Sequence, residues 1–426
     1  MSYPDSDHFV YVDGALRADG VELSAVAEQV GTPAYVYSAA SIDAAYASVD
    51  AALSEIPHLV AYAVKANSNL SILRRLAAAG CGADIVSGGE LLRALQAGFT
   101  ADRIVFSGVG KTDDELRLAL EHGVRSIHAE NEGEIEVLAA IAAELGTTAP
   151  ISLRVNPNVD AGTHPYIATG LHESKFGLEL DVARRILPGI VADPHLELEG
   201  IACHIGSLVL SPEPIGEAVR LVTEFACECK RAGAPIRTVD AGGGWPILYG
   251  DEQRSAESHA VFGRAVIDGV RRGGGDTLSP TLIIEPGRSI VGDSGVLLTR
   301  VLYVKEQAGK RFIIVDGAMT ELIRPSLYGA YHGMMPVTEP GEGVALAAAD
   351  VVGPVCESGD FLAKDRPMPP VKRGDLIAVR GAGAYGSVMA SNYNSRPFAP
   401  EVLVLDGEAQ VIRARQRVED IWGRDV

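Results

Sequence analysis

Positive charge is what this sequence lacks most. Its 37 lysines and arginines stand against 56 aspartates and glutamates, a net charge of −19 over 426 residues. That balance argues against a nucleic-acid partner. It leaves room for small anionic substrates, because a local basic pocket fits inside an acidic protein. Cysteine is scarce too. The five, Cys81, Cys203, Cys227, Cys229 and Cys356, are odd in number and scattered, unlike a disulfide framework. Cys227 and Cys229 fall in a predicted helix, Glu213 to Ala232, where residues two apart diverge around the axis and make a poor metal clip. No metal site is expected. No apolar run approaches the roughly 20 residues of a membrane helix. Met1 to Asp7 is polar and acidic, which argues against a signal peptide. The expectation is a cytoplasmic protein with no membrane and no nucleic acid among its partners.

What is present is a strong rhythm. Hydrophobic residues make up 47% of the chain, enough for two ordinary domains or a large barrel with a smaller unit. Predicted strands at Leu59–Lys65, Ala83–Val86, Arg103–Ser107, Ser126–Ala129, Ile151–Val155, Leu198–His204, Ile236–Asp240 and Thr281–Glu285 alternate with predicted helices. The fold class is therefore α/β: a (β/α)8 TIM-like barrel. Periodicity leaves an open doubly wound sheet as the alternative. After Arg288 the pattern changes to short strands separated by Gly, Pro and Asp, which predicts a second, all-β sandwich or barrel domain. Strand-like stretches near the N-terminus, His8–Tyr11 and Ala34–Tyr37, are expected to join it, and Ser41 to cap a helix to Leu53. The expected divisions are 1–35 with the β domain, 36–288 as barrel and 289–426 as β domain.

Barrels of this kind place their active sites at the C-terminal ends of the strands. Here those ends carry Lys65, Asp84, Ser107, Glu130, Asn156, His204, Asp240 and Glu285. A lysine at the tip of a buried strand costs desolvation. Partial burial frees its amine to attack a carbonyl, as a Schiff-base lysine must; the plain alternative is a side chain that snorkels into water. Gly242-Gly243-Gly244 follows the seventh strand, where such barrels often bind phosphate, and glycines let backbone N–H groups approach an anion. Ser207 in His204-Ile205-Gly206-Ser207 is a further phosphate donor, and His204 is either a ring partner or a hydrogen-bonded core histidine. Glu285-Pro286-Gly287-Arg288 offers an acid for a pyridine nitrogen and a planar fork for a carboxylate or phosphate, or else a mutual ion pair. Cys356-Glu357 sits in a Gly/Pro-bounded loop and offers a proton donor beside an acid; a half-buried small hydrophobe is the alternative. A lysine, a phosphate cradle and an acid for a ring nitrogen fit pyridoxal 5'-phosphate best.

The residues AYAVKANSN at 61–69, GADIVSGGEL at 82–91, CHIGS at 203–207, GGGWP at 242–246, EPGRSIV at 285–291, GPVCESGD at 353–360 and GAGAYG at 381–386 resemble the barrel-type pyridoxal-phosphate decarboxylases of amino acids. That group includes ornithine decarboxylase and, at the level of fold, alanine racemase. FSGVGKT at 106–112, THPYIATGLHESKFGL at 163–178 and VDGAMTELIRPSLYGAYH at 315–332 continue the resemblance, and the IRPSLYGAYH part of the last with SNYNSRP at 391–397 is what resembles the diaminopimelate decarboxylase branch in particular. One departure is Leu208-Val209-Leu210, where a glutamine and more polar residues are expected. The resemblance implies that Lys65 holds the cofactor covalently, His204 stacks on its ring and Glu285 faces the ring nitrogen. It implies Ser207, Gly243, Gly244 and Arg288 around the phosphate, with Asp84 and Gly287 also in the cofactor site. Arg288, Arg324, Tyr328, Glu357 and Tyr385 would line the substrate, and Tyr385 would also touch the cofactor. Cys356 would donate the proton. Lys65, Cys356 and His204 are thus the implied catalytic set. Cys356 and Glu357 would reach a neighbouring subunit's cofactor, making a homodimer with shared sites. The implied reaction converts meso-2,6-diaminopimelate to L-lysine and carbon dioxide, the last step of lysine biosynthesis. Ornithine, arginine or a D-amino acid is the alternative substrate.

Overall fold

A computed structural model describes residues 8–160, 175–249 and 258–426, so most of the 163–178 stretch lies outside the described residues. Two compact units emerge: one from the described residues within Met1–Ala45, Ile247–Ser255 and Ile290–Val426, the other from those within Tyr46–Pro246 and Ala256–Ser289.

The second unit is a closed barrel. Eight parallel strands, His58–Ala63, Gly82–Ile85, Ile104–Phe106, Ser126–Ala129, Ala149–Asn156, Leu196–Ala202, Thr238–Asp240 and Thr281–Ile284, pair in chain order. The ring closes where Leu282, Ile283 and Ile284 pair with His58, Leu59 and Val60, which excludes the open sheet. Strands covered by helices on one side and packed into the barrel on the other must be apolar throughout. Leu59-Val60-Ala61-Tyr62-Ala63 meets that demand, with all five residues buried. The helices start where polar side chains satisfy their free N–H groups. Asn69, Ser87 and Asn131 cap the helices Leu70–Ala78, Gly88–Ala97 and Glu132–Leu145. Thr112 and Glu115 form a reciprocal capping box at the start of Asp113–His122.

The other unit is all β in its sheets, as expected. Its hub is the long strand Gly295–Gln307, which pairs antiparallel with Lys310–Val315, Leu376–Val379 and Ala34–Ser38. Ala34–Ser38 also runs parallel to Glu401–Leu405, so the N-terminal strand does join this unit. Paired on both edges, Ala34-Tyr35-Val36-Tyr37-Ser38 is buried at every position.

Three local expectations change. The helix after that strand, Ala39–Ala52, is capped by Ser38, whose Oγ accepts the Ser41 N–H at 2.9 Å; Ser41 is inside the helix and is not its cap. Lys65 is not on the first strand but in a single 3-10 turn, Val64–Ala66, just beyond it. The strand Phe361–Met368 was not expected, because Lys364, Asp365, Arg366 and Pro367 interrupt its apolar pattern.

Gly383, in the GAGAYG stretch, shows how tightly the β unit is packed. A Cβ there would lie 1.8 Å from Val291 O, a backbone atom that cannot rotate away. Gly383→Ala should therefore lower unfolding stability by about 1–3 kcal/mol. Urea denaturation checks this, and an unchanged midpoint would mean that the backbone yields there at no cost.

Candidate active site

Lys65 stands at the mouth of the barrel. The turn that carries it is tied down by Tyr62, whose hydroxyl donates to Asn67 O at 3.0 Å. Its ammonium pairs with Asp84 of the second strand. Asp84 is fully buried, while the Lys65 side chain is 38% exposed, so the amine is both anchored and reachable. Among the described residues, the buried Oδ1 of Asp84 has no hydrogen-bond partner of its own.

Four further polar side chains meet in the same unit, all buried. Glu285 follows the eighth strand, Ser107 follows the third, His128 lies in the fourth and Asp240 ends the seventh. Ser107 Oγ donates to Glu285 Oε1 at 3.1 Å and lies 3.0 Å from His128 Nδ1. His128 Nε2 faces Asp240 Oδ2 at 3.6 Å, and Asp240 Oδ1 accepts the Gly242 N–H at 2.8 Å. Burial drives the titration of this cluster. It pushes Glu285 well above the usual carboxylate range, with the nearby charges of Asp240 and Asp84 adding to the effect. It raises Asp240 to about 7 and lowers His128 to about 3, in the latter case helped by Lys111, Arg154 and Lys65. One ligand atom each from His128, Asp240 and Glu285 lie within 4.8 Å of one another, close enough to hold a cation.

His204 lies two residues past the sixth strand, half-buried. Its Nδ1 accepts the Gly243 N–H at 3.1 Å, which leaves the ring proton on Nε2. Removal from water lowers its pKa to about 3, so the ring is neutral. Arg288 Nη2 donates to Ser207 Oγ at 2.9 Å, joining the loops after the sixth and eighth strands. The glycines between them are needed for backbone packing. A Cβ on Gly243 would meet Glu285 O at 2.1 Å, and one on Gly244, at φ +96°, would meet Gly206 O at 2.2 Å. Leu208 stands at φ 62°, and Val209 is buried with its N–H bonded to Gly244 O at 2.9 Å, so the departure from the family pattern keeps a backbone tie to this loop.

The remaining candidates belong to the β unit. Arg324 is buried at the start of a short helix, Arg324–Tyr328, with Nη1 3.1 Å from Tyr249 Oη and its guanidinium 4.8 Å from that ring. Tyr328 and Tyr385 are half-buried, and Tyr385 is held at φ 56°. Cys356 and Glu357 are exposed, and the Cys356 N–H donates to Asn394 Oδ1 at 2.8 Å.

The barrel unit thus gathers Lys65, Asp84, His204, Ser207, Gly243, Gly244, Glu285, Gly287 and Arg288, while Arg324, Tyr328, Cys356, Glu357 and Tyr385 belong to the β unit. Sequence reasoning missed His128 and Tyr249. A signal for His128 existed: it lies two residues before Glu130, and residues two apart on a strand share a face.

The family described as "Pyridoxal-dependent decarboxylase, pyridoxal binding domain" matches residues 39–292. A curated diaminopimelate decarboxylase of Pseudomonas aeruginosa is 49% identical over 416 residues, 98% of each chain. The chain belongs to the diaminopimelate decarboxylase family. Two solved structures extend the likeness. Diaminopimelate decarboxylase from Helicobacter pylori, complexed with L-lysine, is 42% identical with a TM-score of 0.89, covering 94% of this chain and 98% of that one. The enzyme from M. jannaschii, also in complex with L-lysine, is 34% identical with a TM-score of 0.93, covering 99% and 98%. The donor set of the barrel unit fits the family's cofactor: an anchored lysine amine, a buried glutamate for a ring nitrogen, and a serine hydroxyl beside a guanidinium for a phosphate.

Asp240 makes the cluster's energetics measurable. Its native carboxyl holds a proton to about pH 7, whereas an unfolded aspartate loses it near 3.8. Between those values the native state loses about 1.4 kcal/mol of stability for each pH unit of rise. Asp240→Asn removes that slope. Urea unfolding of the apoprotein should show variant and wild type alike at pH 4 and the variant ahead by a few kcal/mol at pH 8. A gap that does not change with pH would contradict a raised Asp240.

Proposed function

We propose that this chain decarboxylates meso-2,6-diaminopimelate to L-lysine and carbon dioxide with pyridoxal phosphate, the last step of lysine biosynthesis, as a cytoplasmic homodimer. One observation carries the reading. The anchored Lys65 amine, the buried Glu285 and the Ser207–Arg288 pair occur in one barrel unit of a chain 49% identical over its length to a diaminopimelate decarboxylase. Among the described residues, no helix is long and apolar enough to cross a membrane.

When bound, pyridoxal phosphate supplies the electron sink that accepts the pair released as carbon dioxide leaves. The chain's side chains orient and balance charge. Asp84 fixes the Lys65 amine, which is the covalent attachment point. Glu285 would present its carboxyl to the ring nitrogen, and His204, neutral and fixed by the Gly243 N–H, would stack on the ring. Ser207, the backbone of Gly243 and Gly244, Gly287 and Arg288 hold the phosphate. On the substrate, Arg288 and Arg324 read carboxylates, Glu357 reads an ammonium, and Tyr328 and Tyr385 line the pocket, Tyr385 also touching the cofactor. The thiol of Cys356 returns the proton to the carbon that has lost carbon dioxide. Exposure of Cys356 and Glu357 on their own unit supports their service to a partner subunit's site.

A site with arginines for a distal carboxylate leaves them unpaired when that carboxylate is missing, which rejects the shorter-charged analogue strongly. Lysine and ornithine should therefore be poor substrates. Borohydride treatment of the loaded protein should fix the cofactor to the peptide bearing Lys65, and Lys65→Ala should lose both this adduct and carbon dioxide release by several orders of magnitude. Retained adduct and turnover in Lys65→Ala, or efficient release from ornithine with none from diaminopimelate, would overturn the assignment.

Shared sites are tested by mixing inactive Lys65→Ala with inactive Cys356→Ala protein. Under proven subunit exchange of an equal mixture, activity should return toward roughly one quarter of wild type, because half the dimers are mixed and each has one intact site of two. No recovery means that each chain completes its own site.

A further inference from the structure

Glu285 poses a problem that the cofactor alone does not solve. In its buried position beside Asp240 and Asp84 it is driven to take up a proton. A protonated carboxyl offers a ring nitrogen its O–H, whereas a carboxylate accepts a proton from it. Which form is held depends on the groups behind Glu285.

Donor and acceptor counting settles their orientation. Ser107 has one hydroxyl proton and two neighbours, Glu285 Oε1 at 3.1 Å and His128 Nδ1 at 3.0 Å. If that proton goes to Glu285, His128 Nδ1 must be the N–H that donates to Ser107. A neutral imidazole carries one N–H, so His128 Nε2 is then an acceptor. Opposite it is Asp240 Oδ2, at 3.6 Å. Among the described residues both atoms are buried without a hydrogen-bond partner, and a small closure between them satisfies both. Asp240 Oδ1 already accepts the Gly242 N–H, so the carboxyl proton belongs on Oδ2. Burial keeps His128 neutral and raises Asp240 so that it can hold this proton; Glu285 is raised too and is hydrogen-bonded to Asp240, so the two acids compete for the proton until a ring N–H pairs with Glu285. Lys111, Arg154 and Lys65 favour the neutral ring, while Glu285 Oε1, 3.6 Å from Nδ1, favours keeping the ring proton on that nitrogen.

We propose that Asp240, His128 and Ser107 form a one-way hydrogen-bond array, every donor pointing toward Glu285, that holds Glu285 as the carboxylate aimed at the cofactor's ring nitrogen. His128 is thus a positioning residue, acting through Ser107. The inference rests on the proposed use of pyridoxal phosphate.

The test reconstitutes apoprotein with pyridoxal phosphate labelled with nitrogen-15 in the ring, reads the ring nitrogen's chemical shift by NMR, and measures cofactor affinity by fluorescence titration. In wild type the shift should report a protonated ring. In His128→Phe and in Ser107→Ala it should move toward the unprotonated position, with affinity about tenfold weaker from loss of a charge-assisted hydrogen bond. His128→Asn keeps an N–H near Nδ1, and Asp240→Asn puts an amide N–H where the Oδ2 proton stood. Both should keep the protonated ring and bind within about threefold of wild type. A protonated ring and full affinity in both His128→Phe and Ser107→Ala would overturn the array. So would equal losses in His128→Asn and His128→Phe, which would signal packing alone. Stoichiometric zinc binding by the wild-type apoprotein, abolished in His128→Phe, would assign the cluster to a metal instead. Failure of the wild type to take up the cofactor is distinct from all of these and would sink the proposed function itself.

Discussion

The seam where the eighth barrel strand meets the first sets everything else. Its pairing runs past the strand ends, because the Ala63 N–H donates to Pro286 O at 3.0 Å. Gly287 then lies so close that a Cβ on it would approach the Cβ atoms of Ala66 and Ala63 to 2.9 and 3.0 Å. The turn carrying Lys65 and the loop carrying Glu285 and Arg288 are thereby pressed together across more than half the chain. The loop-closure entropy of that meeting is met by the barrel as a whole. Register matters equally. A one-residue slip of a strand reverses the faces of its side chains, and Asp84, His128 and Asp240 all lie within strands.

Charge is the second constraint. Three acids, Asp84, Asp240 and Glu285, are buried near one another, against the cations Lys65 and Arg154. Burying ionised groups is unfavourable unless each is paired, protonated or hydrogen-bonded. The structure uses all three remedies: an ion pair for Asp84, a retained proton for Asp240 and a serine hydroxyl for Glu285. Such uneven treatment of similar groups in one small volume marks functional sites more often than structural ones.

Much of this was legible in the sequence, and the reasons differ by feature. Barrel strands read well because burial on both faces forces apolar runs bounded by turn residues, and the strand Ser126–Ala129 was placed to the residue. The Ser38 cap was missed because Ser38 and Ser41 both suit a helix start, and only the backbone shows which one accepts the N–H. Phe361–Met368 was missed because its residues follow no clean alternation. Lys65, His204 and Glu285 stood out as polar residues ending apolar runs. Ser107 and Asp240 stood out in the same way, but their link through His128 did not, because the three are 21 to 133 residues apart and nothing in a linear pattern says that those side chains will turn toward one point. Tyr249 was hidden for a similar reason: its partner Arg324 lies 75 residues further on.

The glycines after the seventh strand carry one last implication. Where side chains would stand at Gly243 and Gly244, the carbonyls of Glu285 and Gly206 stand instead. Three loops therefore touch main chain to main chain, with no flexible group between them to absorb a displacement. They form a single mechanical block, which loosens all at once or not at all. On this side of the barrel mouth, tuning by small side-chain adjustments is closed off, and heat or denaturant should release the three loops in one cooperative step.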